Sequence, residues 1–242
     1  MANATNRLAR SHSEQAPAGF RDRRDAGRYL AAQLTAYADR PDVVVLGIPR
    51  GGVPVAFEVA DALRAPLDIV VVRKLGLPFQ PELAMGAIAS GGVRILNRDV
   101  LSDLEISPAV IDEVAAREQV ELERREHSYR SGRAAVELAG KTVIVVDDGL
   151  ATGSTMLAAI GAVRQRGAAA VVCAVPVAAP SSLAKVSPQV DELVCVIASD
   201  DFFAVGQWYL DFPQTSDEEV RDLLAQAQGA QAPPQPRKPK AA

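Results

Sequence analysis

The stretch VIVVDDGLATGST, Val143 to Thr155, constrains this chain more than any other. Four consecutive β-branched residues, Val143 to Val146, read as a strand buried on both faces, the mark of a parallel sheet. The run stops at Asp147 and Asp148, so the strand ends in carboxylates. Gly149 and Gly153 permit a tight, partly left-handed turn, and Thr152, Ser154 and Thr155 set hydroxyls beside N–H groups that a starting helix leaves unpaired. From Met156 to Arg166, Leu157, Ile160 and Val163 keep helical spacing. The turn therefore lies at a helix N-terminus, where the dipole also favours an anion. An ordinary strand-to-helix turn capped by Asp would share some of these residues, but not all of them together.

Two commoner phosphate loops are excluded. A Walker loop follows G-x-x-x-x-G-K-[ST], whereas here three residues, Leu150 to Thr152, separate Gly149 from Gly153 and Ser154 follows. A dinucleotide fingerprint places G-x-G-x-x-G straight after its strand, and this stretch opens with two acids. The residues instead resemble the phosphoribosyl-pyrophosphate (PRPP) motif of the type I phosphoribosyltransferases: hydrophobic strand, paired acids, then a Thr/Gly/Ser loop. The resemblance implies that Asp147 and Asp148 hold the ribose 2′ and 3′ hydroxyls and lie near a magnesium ion. It gives Ala151, Thr152, Gly153, Ser154 and Thr155 to the 5′-phosphate and counts Gly149 among the residues that bind PRPP. It also implies an α/β fold, a parallel sheet of about five strands flanked by helices with a small hood.

A second loop agrees with the first. Val43 to Ile48 reads as the first core strand and runs into PRGGVPVAFEVADAL. There Arg50, Gly51 and Gly52 put one guanidinium and two side-chain-free N–H groups at a helix start, a combination suited to a diphosphate, although a tight packing turn would also use Gly-Gly. In the family resembled, the loop after the first strand grips the pyrophosphate of PRPP and often contains a cis peptide; Pro49 to Gly52 falls at that place. Asp68 to Val72 reads as the next strand. RKLGLPFQPELAMGAI after it, with Gly76, Pro78 and Pro81, reads as a long exposed loop. It is similar to the corresponding run of adenine phosphoribosyltransferases, which implies that Arg73 and Lys74 neutralise the departing pyrophosphate. Ala84 to Ala89 and Val93 to Leu96 flank Ser90-Gly91-Gly92 as a hairpin.

Ser107 and Pro108 cap and open a long helix over Ala109 to Tyr129. It reads as polar, mostly exposed and inserted relative to the small purine enzymes, packing on a partner subunit or walling the site. Ala169 to Val175 and Leu193 to Ile197 supply two more core strands. SDDFFAVGQWYLDFPQT then gathers nearly half of the chain's aromatic residues. Phe202, Phe203, Trp208 and Tyr209 are candidates for an acceptor platform, with a cluster sealing the sheet edge as the alternative. An amphipathic helix opens the chain after Phe20. Its Arg21, Arg23, Arg24 and Arg28 read as a solvated face, with Arg23 or Arg24, near the helix start, as the one that could reach a phosphate.

At 242 residues, 48% hydrophobic and 23% charged, the chain suits one globular domain, expected over 19–228, between flexible tails at 1–18 and 229–242. Lys+Arg of 26 against Asp+Glu of 30 leaves a net charge of −4, so no global basic field recruits nucleic acid or anionic membrane. No apolar run suits a membrane helix or a signal peptide, and a cytoplasmic location is expected. Cys173 and Cys195 sit in apolar strands as small buried thiols. From Phe20 to Glu219 the chain resembles the bacterial group called predicted phosphoribosyltransferases, whose motifs leave the acceptor open. Hypoxanthine-guanine enzymes carry a third acid at the position of Ala151; alanine transfers no proton, so a 6-oxopurine is disfavoured. The leading reading is a magnesium-dependent transferase, expected as a homodimer, with PRPP and a nitrogenous small-molecule acceptor. A PRPP-sensing regulator and a PRPP or phosphosugar hydrolase stand beside it.

Overall fold

Short β-branched runs alternate with amphipathic helices, and that alternation builds a layered α/β structure. The computed structural model describes residues 5–8 and 17–231. In chain order the elements are β1 (Thr5–Leu8), α1 (Arg23–Gln33), β2 (Val43–Gly47), α2 (Gly52–Leu63), β3 (Leu67–Ile69), β4 (Val72–Leu77), β5 (Gln80–Ala89), β6 (Val93–Leu96), α3 (Arg98–Asp103), α4 (Pro108–Arg130), β7 (Thr142–Val146), α5 (Ser154–Gln165), β8 (Ala170–Ala178), α6 (Pro180–Val186), β9 (Glu192–Ala198) and α7 (Asp217–Gln231).

The main sheet runs β3-β2-β7-β8-β9-β1 and is parallel throughout. Helices cover both faces, which is why its central strands carry no polar alternation. Val43, Val45, Ile144, Val146, Val172 and Ala174 join one apolar cluster with residues of α1, α2, α4 and α7. Their neighbours Val44, Leu46, Val143, Val145, Val171 and Cys173 join a second with α5 and α6. Both cysteines are free and buried, as expected, and burial pushes the Cys195 thiol up to about 12.

From β2 the chain passes to β3 on one side, and from β7 it passes to β8 and β9 on the other. Between β2 and β7 the winding therefore reverses. Two connections leave that gap in opposite directions, so a crevice opens beyond the strand C-termini there, where open α/β sheets take their ligands.

Three expectations change. First, Thr5–Leu8, inside the segment read as a flexible tail, forms a sixth strand, pairing Thr5 with Glu192 through Leu8 with Cys195. At the other end α7 continues past Gly229 to Gln231; apart from Pro17 and Ala18, the rest of both expected tails lies outside the described residues. Second, the run after Arg73 is not an open loop. Strands β4 and β5 pair antiparallel across a turn at Pro78 and Phe79, with a register slip at Gly76, and β6 extends them into a three-stranded sheet. Leu75, Leu77, Met85 and Ile88 are buried in it; Leu75 and Leu77 alternate, but Met85 and Ile88 lie three apart, so no clean alternation marks the pair in the sequence. The β5–β6 hairpin over Gly91 and Gly92, both at positive φ, is as expected.

Third, α4 is less exposed than its polarity suggests. It starts as expected, with Ser107 as N-cap accepting from the Val110 N–H, but it buries Val114, Ala115, Leu122 and Tyr129. At its end Arg130 donates to Asp68 Oδ1 at 2.9 Å, while Asp68 Oδ2 accepts the Val136 N–H at 2.9 Å. With 11% and 7% of these side chains exposed, the pair is internal and fastens α4 to the start of β3.

A small hood completes the fold. Phe20 N–H donates to the Trp208 carbonyl at 2.7 Å, and Leu210 and Asp211 N–H donate back to Phe20 and Arg21 at 2.9 and 2.8 Å. Residues 17–22 and 205–212 thus close on each other near the end of β7. Among the described residues no helix is long and apolar enough to cross a membrane.

Candidate functional site

The two glycine-containing loops meet at the crevice. Gly47 pairs with Val146 in the register of β2 and β7, and Ile48 N–H continues the ladder to the Val146 carbonyl at 2.9 Å. Strand β2 then runs into Pro49 to Gly52, with a cis peptide between Pro49 and Arg50. Strand β7 runs into Asp147 and Asp148. A Cβ on Gly51 would fall 2.0 Å from Asp148 Oδ2, and one on Gly52 would fall 2.8 Å from the Val146 carbonyl oxygen and 2.9 Å from Asp147 Cα. Only glycine lets the first loop's backbone lie directly on the acids.

Beyond the acids the chain turns through Gly149, where a Cβ would meet Val205 at 2.6 Å, to Gly153 at φ +82. Gly153 N-caps α5 with no side-chain cap bond, which leaves the helix's first N–H groups to an incoming anion. Ala151, Thr152, Ser154 and Thr155 are exposed around this N-terminus, and Ser182 steadies the turn by donating to the Ala151 carbonyl.

Asp147 and Asp148 are partly exposed at the crevice floor. Arg23 Nε donates to Asp148 Oδ2 at 2.8 Å, and Asp147 Oδ1 accepts the Asp148 N–H at 2.9 Å. Loss of hydration and then the repulsion of Asp148 hold the Asp147 carboxyl well above the usual carboxylate range. Loss of hydration raises Asp148 too, against the pull of Arg23. Of the arginines on the opening helix Arg23 is thus the exception; Arg24 pairs with Glu58 at 3.3 Å, and Arg28 with Asp25 at 3.2 Å.

Two of the three expected diphosphate cations sit against carboxylates of two helices. Arg50 Nη1 lies 3.7 Å from Asp217 Oδ1 at the start of α7, and the Tyr129 hydroxyl donates to the same oxygen at 2.9 Å. Arg73 donates twice to Glu118 Oε2 of α4, at 3.0 and 2.6 Å. Lys74 is exposed and lines, with Arg73, Arg117 and Glu118, a cavity of about 440 Å³. Asp217 and Glu118 escaped the sequence reading. A helix N-terminal acid is ordinarily a dipole partner and an acid on a charged helix ordinarily solvated, so neither carried a signal.

The aromatic segment divides. Phe202 stacks on Trp208 with ring centroids 6.5 Å apart, and Phe203 is 90% exposed. Tyr209 departs from the expected platform: it is buried, its ring lies 5.6 Å from Phe20 and 4.8 Å from Phe212, and its hydroxyl donates to the Asp148 carbonyl. It seals the hood onto the acidic turn and offers no open ring face.

For magnesium the test is the donor set. Among the described residues no group of three or more His, Cys, Asp or Glu surrounds one point. Two adjoining carboxylates beside an anion loop do suit Mg²⁺, which keeps waters and takes ligand phosphate oxygens in addition to one or two protein carboxylates.

A parallel sheet with a switch-point crevice, floored by an acidic pair and walled by two glycine-containing loops, defines the type I phosphoribosyltransferase fold. Residues 81–213 match the phosphoribosyl transferase domain family, and the chain belongs to that family. The match contains the acidic pair and the aromatic segment, while Arg23 and the Pro49–Gly52 loop precede it. A Mycobacterium tuberculosis protein, present in strains CDC 1551 and H37Rv and named a phosphoribosyl transferase with no acceptor in the name, is 51% identical over 208 residues. The alignment covers 86% of this chain and 47% of that protein, so the chain spans about half the length of the curated relatives it matches. The crystal structure of TT1426 from Thermus thermophilus is 42% identical with a TM-score of 0.76, covering 86% of this chain and 98% of that one.

Proposed function

We propose that this protein moves the 5-phosphoribosyl group of PRPP onto a nitrogenous, nucleobase-like acceptor and releases pyrophosphate. The observation that supports the reading is the contact between the two loops: Gly51 and Gly52 lie against Asp148 and Asp147, so the turns read here as diphosphate and ribose grips adjoin. One small ligand can touch both.

In this reading the N–H groups of α5, with Thr152, Ser154 and Thr155, hold the 5′-phosphate, and the two aspartates accept from the ribose hydroxyls. Departure of the diphosphate leaves positive charge on the sugar ring and concentrates negative charge on the leaving group. Arg50 and the Gly51 N–H face that negative charge, the Gly52 N–H being held by the Ile48 carbonyl at 3.0 Å, and Arg73 joins them by exchanging Glu118 for phosphate oxygens. When bound, Mg²⁺ would be held by Asp147 and Asp148 and would neutralise part of the diphosphate charge. The stacked Phe202 and Trp208, with exposed Phe203, offer flat apolar surface to a heterocycle. Ala151 supplies no acid for a 6-oxopurine.

Incubation with PRPP, Mg²⁺ and a panel of nitrogenous bases, following pyrophosphate, tests the proposal. Base-dependent release is the expected result. Release that ignores the base would identify a hydrolase, and saturable binding without release would identify a sensor.

A further inference from the structure

Arg23 leaves the first turn of α1 and is held by three partners from distant parts of the chain. Nε donates to Asp148 Oδ2 at 2.8 Å, Nη1 donates to the Pro213 carbonyl at 2.6 Å, and the guanidinium carbon stands 3.7 Å from the centre of the Phe212 ring. Only 11% of its side chain is exposed, and 15% of that of Asp148. A Cβ on Gly51 would come within 3.2 Å of Arg23 Nε as well, so the ion pair is pressed against the backbone of the Arg50 loop. A planar fork with a carboxylate and a carbonyl on its edges and a ring against its face has little freedom to turn.

The two acids are consequently unequal. One oxygen of Asp148 faces a full positive charge. Asp147 accepts the Asp148 backbone N–H, and among the described residues no cation pairs with it. A divalent cation approaching Asp148 meets the guanidinium at hydrogen-bond range, whereas Asp147 feels the Arg23 charge only through space, without an ion pair to it.

We propose that Arg23 is a positioning residue that gives the two acids different work: it neutralises and orients Asp148 for the ribose hydroxyls, and so leaves Asp147 as the acid that faces the divalent cation. The inference rests on the reading of this crevice as a PRPP site. It assigns Arg23 two opposite effects, one on each kind of ligand. Its charge disfavours a bare metal cation and favours an anionic phosphosugar.

The test uses the full chain, with Mn²⁺ as the metal probe, free Mn²⁺ read by electron paramagnetic resonance, and PRPP affinity read by calorimetry in Mg²⁺. Arg23→Gln releases a second carboxylate, so Mn²⁺ binding without PRPP should tighten about threefold or more while PRPP binding weakens about tenfold or more. A residue that only held the fold together would weaken both. Arg23→Lys keeps the charge and should stay within about twofold of the native protein for Mn²⁺. Asp147→Asn should lose more Mn²⁺ affinity than Asp148→Asn, and this pair decides the matter if Arg23→Gln does not fold. Mn²⁺ affinity that is unchanged or weaker in folded Arg23→Gln, or equal losses in the two Asn variants, would overturn the assignment. Native protein that shows the Mn²⁺ pattern but does not bind PRPP would overturn the substrate reading and leave the division between the acids standing.

Discussion

Gly51 and Asp147 show what single positions are asked to tolerate. At Gly51 a methyl group would overlap Asp148 Oδ2 at 2.0 Å, so Gly51→Ala must part the two loops. The expected cost is about 1–3 kcal/mol of stability, read from urea midpoints, together with loss of PRPP binding. A variant that binds PRPP normally would show that the contact between the loops has no part in the site. Asp147 carries a carboxyl whose folded pKa lies above its ordinary value, because water is lost and Asp148 is near. For such a group the stabilising contribution is complete at low pH and is lost as pH rises through the folded pKa. Asp147→Asn removes that loss. The melting temperature of the variant relative to the native protein should therefore be higher at about pH 8 than at about pH 5, with PRPP binding abolished at both. Both aspartates were legible in the sequence because strand, acids and loop are contiguous. Arg23 was only half legible, since its partner lies 125 residues away and helix arginines usually face solvent.

Two helices that the motifs say little about hold two of the arginines expected to meet the diphosphate. Helix α4 presents Glu118 to Arg73, and α7 presents Asp217 to Arg50 and Tyr129. Glu118→Gln frees Arg73 for a phosphate ligand and should lower the KM for PRPP about two- to fivefold, the range open to a partly exposed ion pair. A raised KM would instead mean that Glu118 aims Arg73 at the ligand. At the far end of α4 the Arg130–Asp68 pair is internal, and Arg130→Met should cost about 3–5 kcal/mol by stranding Asp68. Thermal unfolding of that variant measures it directly, and a change near zero would show that the Ile69 and Val136 N–H groups satisfy Asp68 alone. The hairpin of β4 and β5 was read as a loop because Gly76, Pro78 and Pro81 break the apolar alternation. Pairing with a partner strand tolerates a bulge and a turn proline that a single strand's periodicity cannot reveal.

In the whole molecule, what lies near the crevice and what lies far from it follow from strand order. Strand β1 sits at the edge beyond β9, three strands removed from β7, where no ligand group is expected. Deleting residues 1–8 should lower the melting temperature by exposing the edge of β9, yet leave PRPP affinity within about twofold of the native value. A larger loss would mean that the edge strand reaches the site. The local chemistry of the chain already specified a parallel sheet, two glycine-containing turns at strand ends and a carboxylate pair, because each depends on residues next to one another. Only packing decided that the two loops touch, that Tyr209 is a seal with no open ring face, that Arg23 reaches Asp148, and that Glu118 and Asp217 pair with Arg73 and Arg50. Those contacts join segments far apart in the chain, and the energy that selects them comes from burial and charge pairing that no single stretch contains.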